Sequence, residues 1–320
     1  MRTATGHPFL IAGTVLLLVA CSSEEEDGEA QGGTLGAGAR GAAGASSGPG
    51  SGAAGPGVGG GSTGPGAGGT AGSGGSSASA SDWILATFAD VEVVTGDFTE
   101  RTMVETPALV RDATGCCAKY AFDLRNEVDP VDLRAGFVNV TITDLQSSDA
   151  FGGGITTGYA PGVVLFLDEV HIEPNWPEWV DYQTTNYDGM VLDDSVAIYA
   201  EDLTVANWNA DGAIDNKAPT SQFVRLTIEG QGNRGIRYWG NGPHYLVDSH
   251  LNNAGNLGEG TLLWFSDCDA TTVRIYASTF NGSATVPGDM IGCDNGSAPQ
   301  LEYLTTDPRT TGEMHEMFSP

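Results

Sequence analysis

Lysine is nearly absent. Lys119 and Lys217 are the only two in 320 residues, and 13 bases stand against 41 acids, a formal charge of 13 − 41 = −28. A nucleic-acid binder needs a basic face to neutralise phosphates, and none can be assembled from this composition. Binding to a membrane surface through a polybasic patch is excluded on the same ground. Helix-length 3.6-residue periodicity is missing from Phe137 onward, and two-residue hairpin signals are scarce there. A serine-nucleophile elbow, a phosphate-cradling glycine loop and a dinucleotide fingerprint are all absent. His171, His244, His250 and His315 show no metal-ligand spacing and read as surface or satisfied residues, with His244 and His250 near the groove proposed below.

Large apolar residues are also nearly absent from a long early stretch. Of 47 glycines, 22 lie between Gly28 and Gly75, and residues 30–81 are mostly Gly, Ala, Ser and Pro with the single charge of Arg40. Such a segment cannot offset its ordering entropy, so a flexible linker is expected, with a reach on the order of 40–45 Å. Before it, Leu10 to Val19 form an apolar run too short for a spanning helix. Leu18-Val19-Ala20-Cys21 resembles the lipobox of bacterial lipoproteins. That resemblance implies a signal peptide over 1–20, lipidation of Cys21, a lipidated and disordered segment over 21–81, and delivery to the outer membrane or cell surface. The acids Glu24, Glu25, Glu26, Asp27 and Glu29 keep the start of the tether solvated.

The foldable chain is then 82–320, long enough for a full core. From Phe137 onward it is a series of short β-branched and aromatic runs broken by Gly, Asn and Asp. Val205, Ile228, Leu251 and Phe280 end four similar runs at spacings of 23, 23 and 29. A period in the twenties made of strands alone predicts a β-solenoid, in which stacked coils make one continuous core. The fold class expected is all-β, with irregular caps over about 82–136 and 283–320. Apart from Cys21, four cysteines remain in a chain read as exported, which suggests disulfides. Cys268 and Cys293, 25 residues apart or about one coil, are the favoured pair. The pairing of Cys116 and Cys117 is left open.

Two adjacent coils carry the most informative residues. The first runs Asp188-Gly189-Met190-Val191-Leu192-Asp193-Asp194-Ser195 and continues into Ile198-Tyr199-Ala200-Glu201-Asp202. The second runs Asp211-Gly212-Ala213-Ile214-Asp215-Asn216-Lys217, then Leu226-Thr227-Ile228 and Asn233-Arg234-Gly235-Ile236. In order and spacing this series resembles the pectate lyases, which are right-handed parallel β-helix enzymes. The likeness is firm over about 185–236. It implies β-elimination on an acidic, uronic-acid polysaccharide, with calcium bridging sugar and protein carboxylates. By position, Asp188, Asp211 and Asp215 match calcium ligands, and Arg234 falls where the family has a substrate-binding lysine. Lys217 and Trp239 join it as substrate-binding residues. A monomer is expected.

The sequence departs from the family at two places. Tyr199-Ala200-Glu201-Asp202 replaces a Trp-Val/Ile-Asp-His pattern, and Asn252 to Leu262 lack the arginine expected to take the proton. Arg237 is the nearest substitute, outward-facing if Ile236 faces the core. The alternative function is a non-catalytic carbohydrate-binding or adhesive module on the same scaffold. Asp193, Asp194 and Ser195 read as turn formers. The stretch 82–320 carries 11 bases and 36 acids, 11 − 36 = −25, so an acidic polymer should be repelled. The expected resolution is calcium together with basic residues concentrated at Lys217, Arg225, Arg234 and Arg237. Should those scatter over different faces, a neutral glycan becomes the better guess.

Overall fold

The chain divides into Met1–Thr70 and Ala71–Pro320. The computed structural model describes residues 79–125, 133–193, 195–255 and 257–318. The segment expected as a signal peptide, Cys21 and Asp194 lie outside these residues, as does the expected linker except for 79–81, which open the first helix rather than continue a linker. No helix among the described residues is long and apolar enough to cross a membrane.

The described chain winds as a parallel β-helix. One eight-stranded sheet is built from β2 (Thr102–Glu105), β4 (Tyr120–Arg125), β6 (Phe151–Tyr159), β8 (Asn186–Leu192), β10 (Gly212–Asn216), β13 (Arg234–Tyr238), β16 (Thr261–Asp267) and β19 (Ile291–Asn295). A twelve-stranded sheet alternates with it along the chain. Its earlier members are β1 (Glu92–Phe98), β3 (Ala108–Cys116), β5 (Arg134–Thr143), β7 (Val164–Glu173) and β9 (Ala197–Trp208). Its later coils carry β11 (Thr220–Val224), β12 (Thr227–Gly230), β14 (His244–Val247), β15 (His250–Asn253), β17 (Thr272–Tyr276), β18 (Thr279–Phe280) and β20 (Gln300–Tyr303). Neighbouring coils pair in parallel throughout.

The repeat read from the sequence is the repeat of the fold. Val205 pairs with Ile228, Ile228 with Leu251, and Leu251 with Phe280. All four are fully buried, forming one apolar column across the coils. Facing strands add Ile214, Ile236 and Leu263, likewise fully buried and in register. Dry stacking of this kind is what no single coil could achieve alone.

A second column explains how each coil bends. Asp112, Asn139, Glu169, Asp202, Arg225, Asp248 and Ala277 all adopt a left-handed backbone, φ between 47 and 53°. Registered pairing puts them in one line. In the later coils this residue lies in the gap between β11 and β12, β14 and β15, or β17 and β18. The conformation costs about 1–2 kcal/mol for a residue with a Cβ. Repetition at one position marks it as the corner that turns the larger sheet.

The stretches expected as caps are more regular than the sequence indicated. The first, 82–136, holds β1 to β4 and the start of β5, and the second holds β19 and β20 in register with their neighbours. The non-strand pieces run along the outside of the larger sheet. Helix α1 (Ala80–Thr87) opens with a capping box between Ser79 and Asp82. Its Ile84 rests on β5 where Gly136 leaves room; a Cβ there would lie 2.8 Å from Ile84 Cγ2. After the short helix α2 (Pro308–Thr311), the C-terminal segment returns to the same face. There Trp83 meets Phe166 at 5.0 Å and His315 at 4.9 Å between ring centroids, and Met317 and Phe318 complete the apolar layer.

Cys268 and Cys293 are paired as expected, their Cα atoms 5.7 Å apart, tying the coil of β16 to that of β19. The open question of the other two resolves in favour of Cys116 with Cys117.

Candidate functional site

The outer face of the smaller sheet gathers most of the residues singled out in the sequence. A registered row crosses it from Asp123 through Thr156, Val191, Asp215, Arg237 and Trp264 to Gly292. Ile214 and Ile236, one position away, point into the core, so Asp215 and Arg237 must point out. That part of the reading holds.

The surroundings of Arg237 differ from expectation. Its guanidinium is buried, with Nη1 paired to Asp211 Oδ2, Nη2 paired to Asp215 Oδ2, and Nε donating to Asp215 Oδ1 at 3.0 Å. Asp188 Oδ1 lies 4.0 Å from Nη1. The three aspartates are thus brought together, but around a side chain. Burial works against the guanidinium charge, yet Asp215, Asp188 and Asp211 outweigh it and hold the group above its ordinary value. A group so held does not accept a proton, and Arg237 does not fit the role of base.

Calcium does not fit this arrangement either. It takes six to eight oxygens in an open shell, whereas these carboxylates already have partners. Asp211 Oδ1 accepts from Asn233 Nδ2 at 2.7 Å, and Asp215 Oδ1 also accepts from Trp239 Nε1 at 2.6 Å. Among the described residues no group of three or more His, Cys, Asp or Glu is placed to hold a metal ion. The guanidinium itself occupies the space a bridging cation would need. Asp188 is the least satisfied of the three: Oδ1 has no hydrogen-bond partner. Burial drives its carboxyl well above the usual range, Arg237 opposes this, and Asp215 and Asp211 add to it.

Lys217 and Arg234 flank the buried cluster. Lys217 is paired with Asp193 and lies 3.7 Å from Asp215. Burial works to lower its pKa, but Asp215 and Asp193 prevail and raise it. Arg234 reaches Glu259 at 2.8 Å and Asp211 at 3.6 Å, with its guanidinium 4.9 Å from the Trp264 ring. Trp239 stands above these groups, 42% exposed, with Lys217 Nζ 5.4 Å from its ring centre. Its neighbour Trp264 lies 5.2 Å away and is buried. The sequence reading missed Trp264, Asn233 and Glu259; Trp264 was recoverable as the residue one coil beyond Arg237.

The remaining expected members lie elsewhere. Arg225 stands at the corner of the larger sheet, bidentate to Asp202 at 2.7 Å for both bonds and 2.8 Å from Glu201. The basic cluster is therefore three residues on one face and one on another. His244 is buried beneath the face rather than lining it. Its Nδ1 meets Ser221 Oγ at 2.9 Å and its Nε2 meets the Gly240 carbonyl at 3.0 Å. Burial pushes its pKa down to about 4. His250 bonds Thr279 on the larger sheet, and His315 joins the aromatic layer against α1. Ser195 is a buried turn residue bonded to Thr157 at 3.1 Å.

Comparison of the chain with family models, with curated proteins and with solved structures finds no match. The resemblance to pectate lyases accordingly rests on the two coils quoted above.

Proposed function

We propose that the protein is a glycan-binding β-helix that holds a polysaccharide on the outer face of its smaller sheet without cleaving it. Trp239 carries the reading: an exposed indole whose edge is fixed by Asp215 and whose ring is flanked by Lys217. An aromatic side chain clamped in this way offers a rigid apolar plate for a sugar ring, with polar groups at its rim. The acid-base part of the lyase reading has no support in the geometry, because Arg237 and its aspartates neutralise each other.

A neutral glycan is favoured over an acidic one. Every cation on the face is already paired, and 82–320 carries −25 overall, 11 − 36. The second reading, an acidic uronic-acid polymer, draws on Lys217 and Arg234, which keep part of their surface open beside Trp239. Anchoring at the cell surface through Cys21 belongs to the same proposal and rests on the sequence alone.

Calorimetric titration of the full chain with neutral glucans and galactans, and with polygalacturonate with and without calcium, tests the site. Binding of a neutral polymer, weakened at least tenfold by Trp239→Ala with the melting temperature unchanged, is the expected result. Tighter, calcium-dependent binding of polygalacturonate with rising unsaturated-uronate absorbance would overturn it in favour of the lyase.

A further inference from the structure

The loop 174–185, between β7 and β8, carries three aromatic residues at a spacing of three, Trp176, Trp179 and Tyr182. Two of them hold the loop down. Trp176 is buried, stacks on Tyr187 with ring centroids 4.5 Å apart, and donates from Nε1 to the Asp188 carbonyl at 2.9 Å. The backbone N–H of Trp179 donates to the Asn209 carbonyl at 2.8 Å, tying the loop to the next coil. Tyr182 has no such task. It is 53% exposed and meets Phe151, 40% exposed at the start of β6, with centroids 6.1 Å apart and ring planes at 80°. Both rings stand on turns fixed by side chains. Asp149 Oδ1 accepts from the Phe151 N–H at 2.9 Å, and Asp181 Oδ1 accepts from the Gln183 N–H at 3.0 Å. Thr185 Oγ1 accepts from the Val180 N–H at 2.8 Å. Open rings held this firmly lose little further freedom when a ligand covers them.

We propose that Phe151 and Tyr182 form a second sugar-stacking position, which takes a neutral hexose unit of the polymer assigned above to the Trp239 face; the class of ligand rests on that reading. A sugar ring is apolar across its C–H face and polar at its hydroxyl edge. The two rings offer apolar plates. Lys119 Nζ lies 5.9 Å from the Phe151 ring centre and 2.8 Å from Asp149, which puts a donor and an acceptor beside those plates. The same pairing neutralises Lys119, while exposed Glu178 and Asp181 on the loop disfavour an anionic sugar. A protein partner fits less well. At their exposures the two rings leave open on the order of 200 Å², against about 800 Å² buried by each side of a stable interface. Charges also crowd the pair, whereas the core of a protein interface is depleted in them.

The position relates simply to Trp239. β6 and β13 lie three steps apart in the smaller sheet, and Trp239 directly follows β13. Phe151 is level with Asn186, and Asp188, two residues on, is level with Gly212 and Arg234. Strand spacing and rise then separate Phe151 and Trp239 by roughly 25–30 Å. Several linked hexoses cover that span and a disaccharide does not. A chain seated at both positions gains affinity because its second contact forms within one complex.

Calorimetric titration of the full chain with β-1,4-linked glucose and galactose oligomers of two and of six units tests this. For at least one of the two sugars, the hexamer should bind at least tenfold more tightly than the dimer. Tyr182→Ala and Phe151→Ala, with melting temperatures checked, should each abolish that advantage, and Tyr182→Phe, which keeps the plate, should retain it. A hexamer no tighter than the dimer, or an advantage that survives both alanine variants, overturns the second position. If binding is then still lost in Trp239→Ala, the Trp239 reading stands without it; no binding of either oligomer to the natural protein defeats both.

Discussion

Arg237 and Asp215 face each other across adjacent strands, in direct register, and the guanidinium donates to both carboxylate oxygens within a buried cluster. A buried ion pair contributes little compared with apolar groups of the same shape, but breaking it strands a charge. Arg237→Met leaves Asp211 and Asp215 buried without their counter-ion, and a loss of about 3–5 kcal/mol is expected in denaturant unfolding.

Asp188 should behave in the opposite way. Its carboxyl is raised well above 3.8, with burial the main cause, so the folded state binds a proton that the unfolded state releases. Between those two values stability falls as pH rises, and the loss is complete above the folded value. Asp188→Asn mimics the protonated form and removes this slope. The variant should therefore gain on the natural protein as pH is raised above about 4, read as a growing difference in denaturation midpoint. A difference that shrinks with pH would show Asp188 to be a stabilising ionised partner of Arg237.

His244 sets a second pH window. Its pKa falls from 6.5 to about 4 on folding, so the unfolded chain takes up a proton that the folded one refuses. Stability is fully present above 6.5 and is lost as pH falls from there toward 4, by about 3 kcal/mol in total. His244→Asn, which can still accept from Ser221 and donate to the Gly240 carbonyl, should flatten that part of the profile. Titration of the His244 ring protons near pH 6.5 in the folded state would contradict the assignment.

The coil repeat was legible because one apolar position per coil must meet its equivalent in the next. Val205, Ile228, Leu251 and Phe280 show this without any knowledge of the structure. The corner column was not legible, since Asp112, Glu169, Arg225 and Ala277 share a backbone angle and no chemistry. The site was half legible. Sequence order placed Asp188, Asp211, Asp215 and Arg237 on one face, but whether carboxylates face a cation from outside or a guanidinium within depends on where Nη1 and Nη2 end. The close packing at Trp208 was invisible, because only the fold brings Gly230 and Gly232, on the next coil, against its ring.

Cys268 and Cys293 close a loop with a sequence separation of 25. A link of that length restricts the unfolded chain by about 3 kcal/mol. The double variant Cys268→Ala, Cys293→Ala should lose about 2–4 kcal/mol by denaturant unfolding. Hydrogen exchange should speed first in β16 and β19, the strands the bond ties, while β5 and β7 keep their protection. Uniform loss of protection along the helix would mean that the coils unfold as one unit.

Glycine at 232 tests whether Trp208 is held as tightly as its burial implies. A Cβ there would run into the Trp208 ring at Cε3 and Cζ3, and into the Ala210 carbonyl oxygen at 2.7 Å. The ring lies against core coils and the carbonyl belongs to the backbone, so neither can give way cheaply. Gly232→Ala should cost about 1–3 kcal/mol through overpacking and should displace the indole signal of Trp208 without any ligand. Gly288 is the control: nothing lies within 4 Å of a Cβ built there, and Gly288→Ala should stay within about 0.5 kcal/mol of the natural protein. Equal stability of the two variants in urea melts would show that the Trp208 corner yields.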